Sequence, residues 1–428
     1  MKFAIYNLLF AFAFPFMLPG FLLRMARRGG YAARMADRFA LYPKSVLEAF
    51  RSAPPGTFVW VHAVSVGEVQ VAGQLMREWR RVEPGVRFAF STTSSTGWKM
   101  AEREVAGGDV LIYNPLDFPN FVKSALRTVR PRAVVLTESE IWPVFITKAR
   151  KAGIPLFLVN ARVSDRSAPR YAKARWFFKD VFSCFARIFA QSALDRDRLV
   201  AAGAPEGRVA VTGSFKFDVA RRNEAKEAEL RVWTGPGRLL LGGSTWPGED
   251  AALLRVEALL AKELGPLAPR LVIAPRHFEK ADAVEESISR AGFRCVRRSR
   301  GERASGAADE VLLADTTGEL MGLYGIADAV FVGKSLSAHG SQNMIEPCLC
   351  GKPTAVGPNT ENFRPVMSDL LEGGGIVQVA DEAELSRTVL GWFRDGDGGL
   401  GERARAAVER RRGVVPACVA AMRSALSK

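Results

Sequence analysis

Short apolar runs alternate with amphipathic segments along most of the chain. Runs such as "TFVWVHAV", "RFAFSTTS" and "AVVLTESE" are typical of buried strands, and segments with helical spacing, such as "GEVQVAGQLMREWRRV", lie between them. Alternating strands and helices predict a parallel sheet joined by right-handed crossovers. The alternation starts again at "RLLLGGSTWPGED" and continues to about residue 402. The pattern therefore predicts two Rossmann-like α/β domains with a cleft between them.

The length of 428 residues exceeds what one hydrophobic core usually holds, which also favours two domains. Residues 219–237 are polar and charged and end in Gly-Pro-Gly, so we expect them to connect the domains. The predicted divisions are a membrane anchor (1–23), an N-terminal domain (24–218), a linker (219–237), a C-terminal domain (238–402) and a C-terminal helix (403–428).

The segment "AIYNLLFAFAFPFMLPGFLL" contains 20 residues without a charge. This is about the length that crosses the core of a bilayer. Pro15 and Pro19 would kink such a helix, so a shallow insertion stays open. Arginines follow directly, which places the remaining chain on the cytoplasmic side. No small-residue cleavage site follows the apolar run, which disfavours a signal peptide.

The net charge of +15 comes from the first half of the chain. Residues 1–200 hold 30 Lys or Arg against 15 Asp or Glu, whereas residues 201–428 hold 30 of each kind. A membrane surface, a phosphorylated ligand or nucleic acid would suit this excess, and a merely solvated basic surface stays open. Five cysteines without a CxxC pair and three histidines argue against a disulfide framework or a zinc site.

Charged residues follow several of the predicted strands. Each of these residues comes after an apolar run in the first half: Glu68, Glu138, Glu140 and Lys216. Ligands of open α/β sheets bind at the carboxyl ends of the strands. Glu68 lies just past Gly67, where a helix would begin. It could therefore cap that helix or act as a general base, and the position alone favours neither.

Two glycine-bearing turns in the second half, in "LLLGGSTWPGED" and "GKSLSAHGSQNMIEP", each follow a strand and open a helix. Backbone N–H groups at such places can bind a phosphate. Arg276 follows a third strand, in "IAPRHFEK", and its guanidinium could grip a phosphate with two donors. Neither turn has the GxGxxG or Walker pattern, so the sequence predicts a nucleotide site of another kind.

Eight segments taken in order carry a resemblance to a known family: "HAVSVGEV", "LTESEIWP", "GSFKFD", "GSTWPGE", "APRH", "DTTGELMGLYGIADAVFVG", "NMIEP" and "GP…ENF". They resemble the motifs of the transferases of 3-deoxy-D-manno-octulosonic acid (Kdo), which are membrane-associated enzymes with the GT-B glycosyltransferase fold. The resemblance implies transfer of Kdo from CMP-Kdo to the 6-hydroxyl of the lipid A precursor (lipid IVA) in lipopolysaccharide core biosynthesis. It also implies a place at the inner membrane, no metal or other cofactor, and no nucleic-acid partner.

The resemblance carries over to single residues. It implies that Glu68 is the general base and that Glu138 and Lys216 stabilise the transition state. The positions that match the CMP-binding segments are Pro275, Arg276, Thr317, Gly318, Glu319, Asn343, Met344, Ile345 and Glu346. In one departure, Lys334 stands where a glycine is common in the family.

Two other functions are weighed against this one. Another membrane-associated GT-B enzyme that uses a UDP-sugar would explain the two domains but not "HAVSVGEV" together with "TESEIWP". A membrane-attached binding protein for anionic polymers would explain the charge, but the first half has no recognisable nucleic-acid-binding motif.

Overall fold

The computed structural model describes residues 2–3, 5–8, 10–12, 15–16, 19–20, 32–219 and 222–427. The chain forms two compact units. Unit 1 comprises Met1–Val219 together with Gly413–Lys428, and unit 2 comprises Ala220–Arg412.

Unit 1 is built on a seven-stranded parallel sheet with the order β3-β2-β1-β4-β5-β6-β7. Its strands are β1 (Phe58–His62), β2 (Arg87–Thr92), β3 (Val110–Tyr113), β4 (Ala133–Thr137), β5 (Leu156–Ala161), β6 (Arg187–Ala190) and β7 (Val209–Val211). Its helices up to this point in the chain are α1 (Lys44–Ser52), α2 (Val66–Val82), α3 (Ser95–Ala101), α4 (Pro119–Val129), α5 (Pro143–Lys151), α6 (Ala168–Lys173), α7 (Arg175–Phe182), α8 (Ala193–Ala201) and α9 (Lys216–Val219). Short 3₁₀ helices span Ala32–Phe39 and Glu206–Arg208.

Both faces of this sheet are covered. Every residue of β1 is buried, as the unbroken apolar run "FVWVH" predicts for a central parallel strand. Trp60 belongs to the core on one face and Trp79 to the core on the other, and both side chains are fully buried. A core on each face fixes the sheet between two helix layers.

Unit 2 repeats the architecture with the strand order β10-β11-β9-β8-β12-β13-β14, again all parallel. Its strands are β8 (Leu239–Thr245), β9 (Arg270–Pro275), β10 (Arg294–Arg297), β11 (Glu310–Leu313), β12 (Ala329–Val332), β13 (Thr354–Val356) and β14 (Val377–Gln378). Its helices are α10 (Glu224–Thr234), α11 (Glu249–Leu264), α12 (Ala281–Arg290), α13 (Leu320–Ile326), α14 (Ile345–Leu349), α15 (Arg364–Glu372), α16 (Glu382–Asp395) and α17 (Leu400–Arg410). The predicted linker 219–237 thus contains α10, which packs on α13 within unit 2.

The segment predicted as one C-terminal helix, 403–428, holds the end of α17 and a further helix, α18 (Val414–Leu426). α18 belongs to unit 1 and packs on α2. The buried carboxylate of Asp218 fixes its start, because it accepts hydrogen bonds from the backbone N–H groups of Gly413 (2.7 Å) and Val415 (2.8 Å). A carboxylate at a helix N-terminus is favoured by the helix dipole.

The predicted anchor, 1–23, falls partly on residues outside the described ones (1, 4, 9, 13–14, 17–18 and 21–23). Among the described residues, no helix has the length and hydropathy that spanning a membrane requires. Some described side chains of this segment are packed, and others are exposed. Phe3 and Tyr6 pack against the core of unit 1. Leu8, Phe12 and Phe16 are 73%, 71% and 75% exposed.

Glu257 on α11 provides a test of the unit 2 core. Its side chain is buried, and burial raises its pKa to about 8 against a backbone hydrogen bond from Leu271 that lowers it. The folded protein therefore holds this proton more tightly than the unfolded chain. The contribution to stability is complete below the ordinary pKa of 4.5 and is lost as the pH rises through about 8.

We expect Glu257→Gln to remove this loss, because the amide stays neutral. Its free energy of unfolding, measured with urea, should match the wild type at pH 5 and exceed it by about 1–3 kcal/mol at pH 9. Glu263→Gln, on the same helix but exposed, is the control and should follow the wild type. A wild-type stability that does not fall between pH 5 and 9 would contradict the prediction.

Candidate functional site

The strand order of the unit 1 sheet reverses between β1 and β4, so the chain leaves these neighbouring strands in opposite directions. Such a reversal opens a crevice at the carboxyl ends of the strands. His62 ends β1 and Thr137 ends β4, and Glu68 and Glu138 follow them. The structure therefore brings the predicted base and one of its predicted partners to the same edge.

Glu68 lies in the first turn of α2 and completes the cap of that helix. The Ser65 hydroxyl accepts a hydrogen bond from the Glu68 N–H (3.3 Å) and donates one to Glu68 Oε1 (2.8 Å), much as in a capping box. Glu68 Oε2 accepts from the Val64 N–H (3.1 Å) and from the Thr137 hydroxyl (3.2 Å), which shares its hydrogen with the His62 carbonyl oxygen (3.0 Å). A carboxylate oxygen has two acceptor positions, and Oε1 uses one within the described residues. The structure therefore shows Glu68 as a cap whose Oε1 keeps a position for a proton.

Glu138 is held in an unusual backbone conformation. Its φ of 51° lies in the left-handed region, which costs a non-glycine residue about 1–3 kcal/mol. Its N–H donates to Val159 O (2.9 Å), and its Oε1 accepts from the Asn160 amide (3.2 Å). Asn160, also left-handed with a φ of 52°, accepts in turn from the Phe215 N–H (3.0 Å). These bonds connect the end of β4 to the loop that leads into Lys216, the first residue of α9.

The charges around Glu138 are mixed. Arg162 Nε lies 4.0 Å from its Oε2. Burial raises the pKa of Glu138, Arg162 and Lys216 lower it, and Glu68 raises it. Burial lowers the pKa of Lys216, and Glu138 opposes this. Glu138 is therefore close enough to both Glu68 and Lys216 for their charges to shift its pKa, as one site would require.

Sequence analysis placed Glu140 at a strand end without giving it a role, and it did not name His62. His62 is fully buried, and its Nδ1 lies 3.1 Å from the carbonyl oxygen of Ser91. Its Nε2 lies 3.8 Å from Glu140 Oε2, which also accepts a hydrogen bond from the Trp142 indole (2.9 Å). Burial and then Glu68 raise the pKa of Glu140 to about 7. The histidine in "HAVSVGE" and the second glutamate in "TESEIWP" were the available signals.

In unit 2, the predicted CMP residues of two segments line one pocket of about 140 Å³ at the ends of β8, β9 and β11. Pro275, Arg276, Thr317, Gly318 and Glu319 all contribute to its wall. The Arg276 side chain is exposed, and it forms no ion pair with any described residue. A free guanidinium at a pocket wall can bind an oxyanion with two donors.

The carboxylate of Glu319 already has partners. Arg298 donates to it through Nη2 (2.9 Å) and Nε (3.2 Å), and Lys226 Nζ lies 3.5 Å away. Burial would raise its pKa, but the hydrogen bonds from Arg298 and Thr316 bring it below the ordinary value. Glu319 is therefore neutralised from within unit 2 and leaves the wall of the pocket without a free negative charge.

The third predicted segment, Asn343 to Glu346, does not line this pocket. Met344 and Ile345 are fully buried, so their side chains belong to the core. The Asn343 amide donates to Glu346 Oε1 (3.0 Å) at the start of α14, and burial raises the pKa of Glu346.

Glu249, at the start of α11, was also missed. Its side chain is fully buried, and it accepts from the N–H groups of Trp246 (2.8 Å), Lys334 (2.8 Å) and Ser335 (3.0 Å). It therefore joins the two glycine-bearing turns that sequence analysis identified. Lys334 has a φ of 58°, which explains why a glycine suits that position. The position of Glu249 at the predicted helix start was the available signal.

Comparison with known proteins agrees with this geometry. A family model described as 3-Deoxy-D-manno-octulosonic-acid transferase (kdotransferase) matches residues 33–219. The chain is 35% identical to a 3-deoxy-D-manno-octulosonic acid transferase of Bordetella pertussis over 387 residues, 88% of each chain. It is 33% identical to the enzyme of that name from Haemophilus influenzae over 364 residues, 84% of this chain and 83% of the relative. The chain belongs to the Kdo transferase family.

The transferase is therefore a glycosyltransferase, as its motifs predicted. Its fold is similar to that of a solved glycosyltransferase from Rickettsia africae, with a TM-score of 0.57 and 12% identity over 87% of this chain and 99% of that one. The prediction of an α/β fold of the GT-B kind, with two parallel sheets, is confirmed.

Proposed function

We propose that this transferase moves Kdo from CMP-Kdo to the 6-hydroxyl of the lipid A precursor (lipid IVA), in lipopolysaccharide core biosynthesis. The observation that carries the proposal is the group of Glu68, Glu138 and Lys216 at one sheet edge, in a chain of the Kdo transferase family. We assign acceptor chemistry to unit 1 and donor binding to unit 2.

Glu68 is the general base of the proposed step. Its Oε1 takes the proton of the acceptor hydroxyl while the hydroxyl oxygen bonds to C2 of Kdo. The bond between C2 and the phosphate oxygen of CMP breaks, and CMP leaves with that electron pair. The bonds from Val64, Ser65 and Thr137 fix the carboxylate before the substrate arrives, which lowers the cost of orienting the base. Glu138 and Lys216 stabilise the transition state in this proposal.

The pocket of unit 2 suits the nucleotide. Arg276 is available for the CMP phosphate, and Gly318, with a φ of 83°, lets the backbone approach a ligand closely. The Arg276 guanidinium would place a positive charge beside the leaving phosphate, which a metal ion does in some other enzymes. We therefore expect the reaction to need no metal and no other cofactor.

The acceptor is a phosphorylated lipid, and we place the transferase on the cytoplasmic surface of the inner membrane. Two features support this location. The positive excess lies in the first 200 residues. Leu8, Phe12 and Phe16 present three large apolar side chains to the surroundings. Basic and apolar groups together favour an anionic bilayer surface. Lipid and donor are the partners in this proposal, and nucleic acid is not one.

Product analysis tests the function directly. Purified protein is incubated with CMP-Kdo and tetra-acylated lipid A precursor, and the lipid is weighed by mass spectrometry. A gain of one or more Kdo units is expected, with or without a metal chelator. If the protein instead adds a sugar from a UDP-sugar donor to the lipid, the proposal is wrong and the protein is another kind of GT-B glycosyltransferase.

Glu68→Gln should lower the transfer rate by about 100-fold or more, because the amide cannot accept the proton. The amide oxygen can still accept hydrogen bonds, so the melting temperature should stay near that of the wild type. Ser65→Ala is the control for stability, since it removes the cap partner and costs about 1 kcal/mol. Its transfer rate should fall much less than that of Glu68→Gln, because the base itself remains. Near-normal turnover of Glu68→Gln would show that another group takes the proton.

Arg276→Ala should raise the KM for CMP-Kdo about tenfold or more, because a charged hydrogen bond to phosphate is lost. The KM for the lipid should change little. Arg290→Ala, an exposed arginine of the same unit, is the control and should leave both constants unchanged. Equal losses for donor and lipid would contradict the assignment of Arg276 to the donor.

Replacing Leu8, Phe12 and Phe16 by serine should reduce sedimentation with anionic phospholipid vesicles at least about tenfold, because three apolar side chains no longer enter the interface. These side chains are exposed, so the fold should be retained. Leu267→Ser removes a leucine that is 70% exposed in unit 2 and should leave vesicle binding unchanged. Unaltered binding of the triple variant would assign membrane affinity to other residues.

A further inference from the structure

Three carboxylates lie near one another at the edge of the unit 1 sheet, and they differ in the groups that could neutralise them. Glu68 accepts three hydrogen bonds from described donors outside its own residue. Glu138 has the Asn160 amide and the nearby cations Arg162 and Lys216. Glu140 has one donor, the Trp142 indole. Glu138 and Glu140 are equally exposed, at 17% each, but no described Lys or Arg forms an ion pair with Glu140. Protonation of Glu140 therefore removes the least compensated of the three charges.

The imidazole of His62 lies opposite Glu140 and can accept a hydrogen bond from a protonated Glu140. Two Ser91 oxygens face His62 Nδ1: the hydroxyl at 2.9 Å, which can accept or donate, and the carbonyl at 3.1 Å, which can only accept. A hydrogen on Nδ1 satisfies both contacts, whereas a lone pair there would oppose the carbonyl oxygen, so we assign the hydrogen to Nδ1. Nε2 of the neutral ring then has a lone pair, and no described group forms a hydrogen bond with it. It lies 3.8 Å from Glu140 Oε2. A lone pair and an ionised carboxylate would repel each other, whereas a protonated Glu140 would present a donor towards the lone pair.

We propose that Glu140 is a positioning residue of the transfer reaction, which in its protonated form faces His62 Nε2 and so adds no negative charge beside Glu68. The inference rests on the proposed role of Glu68 as the base. The location of the proton agrees with the surroundings: burial lowers the pKa of His62 to about 4, whereas burial and Glu68 raise that of Glu140 to about 7.

The consequence concerns both the base and the substrates. The groups that face Glu140 are His62 on β1, Glu68 on α2, Glu138 and Trp142 on its own loop, and Tyr171 on α6. None of these is a cation while His62 is neutral. Ionised Glu140 would therefore add an uncompensated negative charge beside Glu68 and Glu138. Such a charge repels an anionic donor and a phosphorylated acceptor.

Nuclear magnetic resonance of ¹⁵N-histidine-labelled protein tests the proton's location without any substrate. The chain has three histidines, so a His62→Asn variant identifies the signals of His62. In the wild type we expect a neutral ring with Nδ1 protonated, and an Nε2 signal that shifts as the pH passes through about 7. In Glu140→Gln the shift with pH should vanish. A His62 ring that is an imidazolium at neutral pH, or a titration that persists in Glu140→Gln, would overturn the proposal.

Kinetics test the role. Glu140→Gln keeps a neutral group that donates towards His62, so kcat/KM at pH 6.5 should fall less than about threefold, and at pH 8.5 it should exceed that of the wild type. Glu140→Ala should lose about tenfold or more at both pH values. Glu102→Gln changes an exposed glutamate that also accepts from an indole, Trp98 (2.8 Å), and should match the wild type.

A loss in Glu140→Gln as large as that in Glu68→Gln would overturn the proposal, because it would make Glu140 a proton acceptor itself. If the wild type transfers no Kdo at all, the proposed function fails while the resonance measurement still decides where the proton lies.

Discussion

The parallel arrangement of both sheets is the constraint on which the rest of the structure depends. Each strand runs in the same direction as its neighbours, so every carboxyl end in a unit lies at one edge. The strand order reverses between β1 and β4 in one unit and between β8 and β12 in the other. Glu68 and Lys216 are about 150 positions apart in the chain, and both therefore lie close enough to Glu138 to shift its pKa.

Both units have a glutamate in the first helical turn at this edge, and its role differs between them. In each, the first strand of the sheet leads to a helix whose first turn holds a glutamate, and that carboxylate accepts backbone N–H groups. Glu249 is fully buried and accepts hydrogen bonds from three or more backbone N–H groups, so its role is to hold the two loops together. Glu68 is partly exposed and keeps an acceptor position on Oε1. The same local physics thus gives a structural cap in one unit and, in our proposal, a base in the other.

The sequence predicted the fold well because its strands are short, apolar and separated by helices, a pattern typical of a parallel sheet. It located Glu68 and left its role open between cap and base, and the structure shows the cap contacts directly. It could not reveal the left-handed backbone of Glu138, which glutamate seldom adopts and which long-range bonds to Asn160 and Val159 stabilise. It also could not show that Arg298, 21 positions before Glu319, neutralises that carboxylate. Such pairs form only where distant loops come together in the fold, and the spacing of residues within one loop does not predict which loops these are.

The position of α18 has a consequence for the way the chain matures. This helix closes unit 1 against α2, yet it follows all of unit 2 in the sequence. During synthesis from the N-terminus, unit 2 is therefore complete while the apolar surface of α2 that α18 covers is still open to water. Asp218, which fixes the start of α18, must wait with its carboxylate unpaired until Gly413 and Val415 have left the ribosome. The unit that holds the proposed base is therefore the last to finish folding. A nascent chain that stalled before α18 would expose the apolar face of α2 to chaperones and proteases.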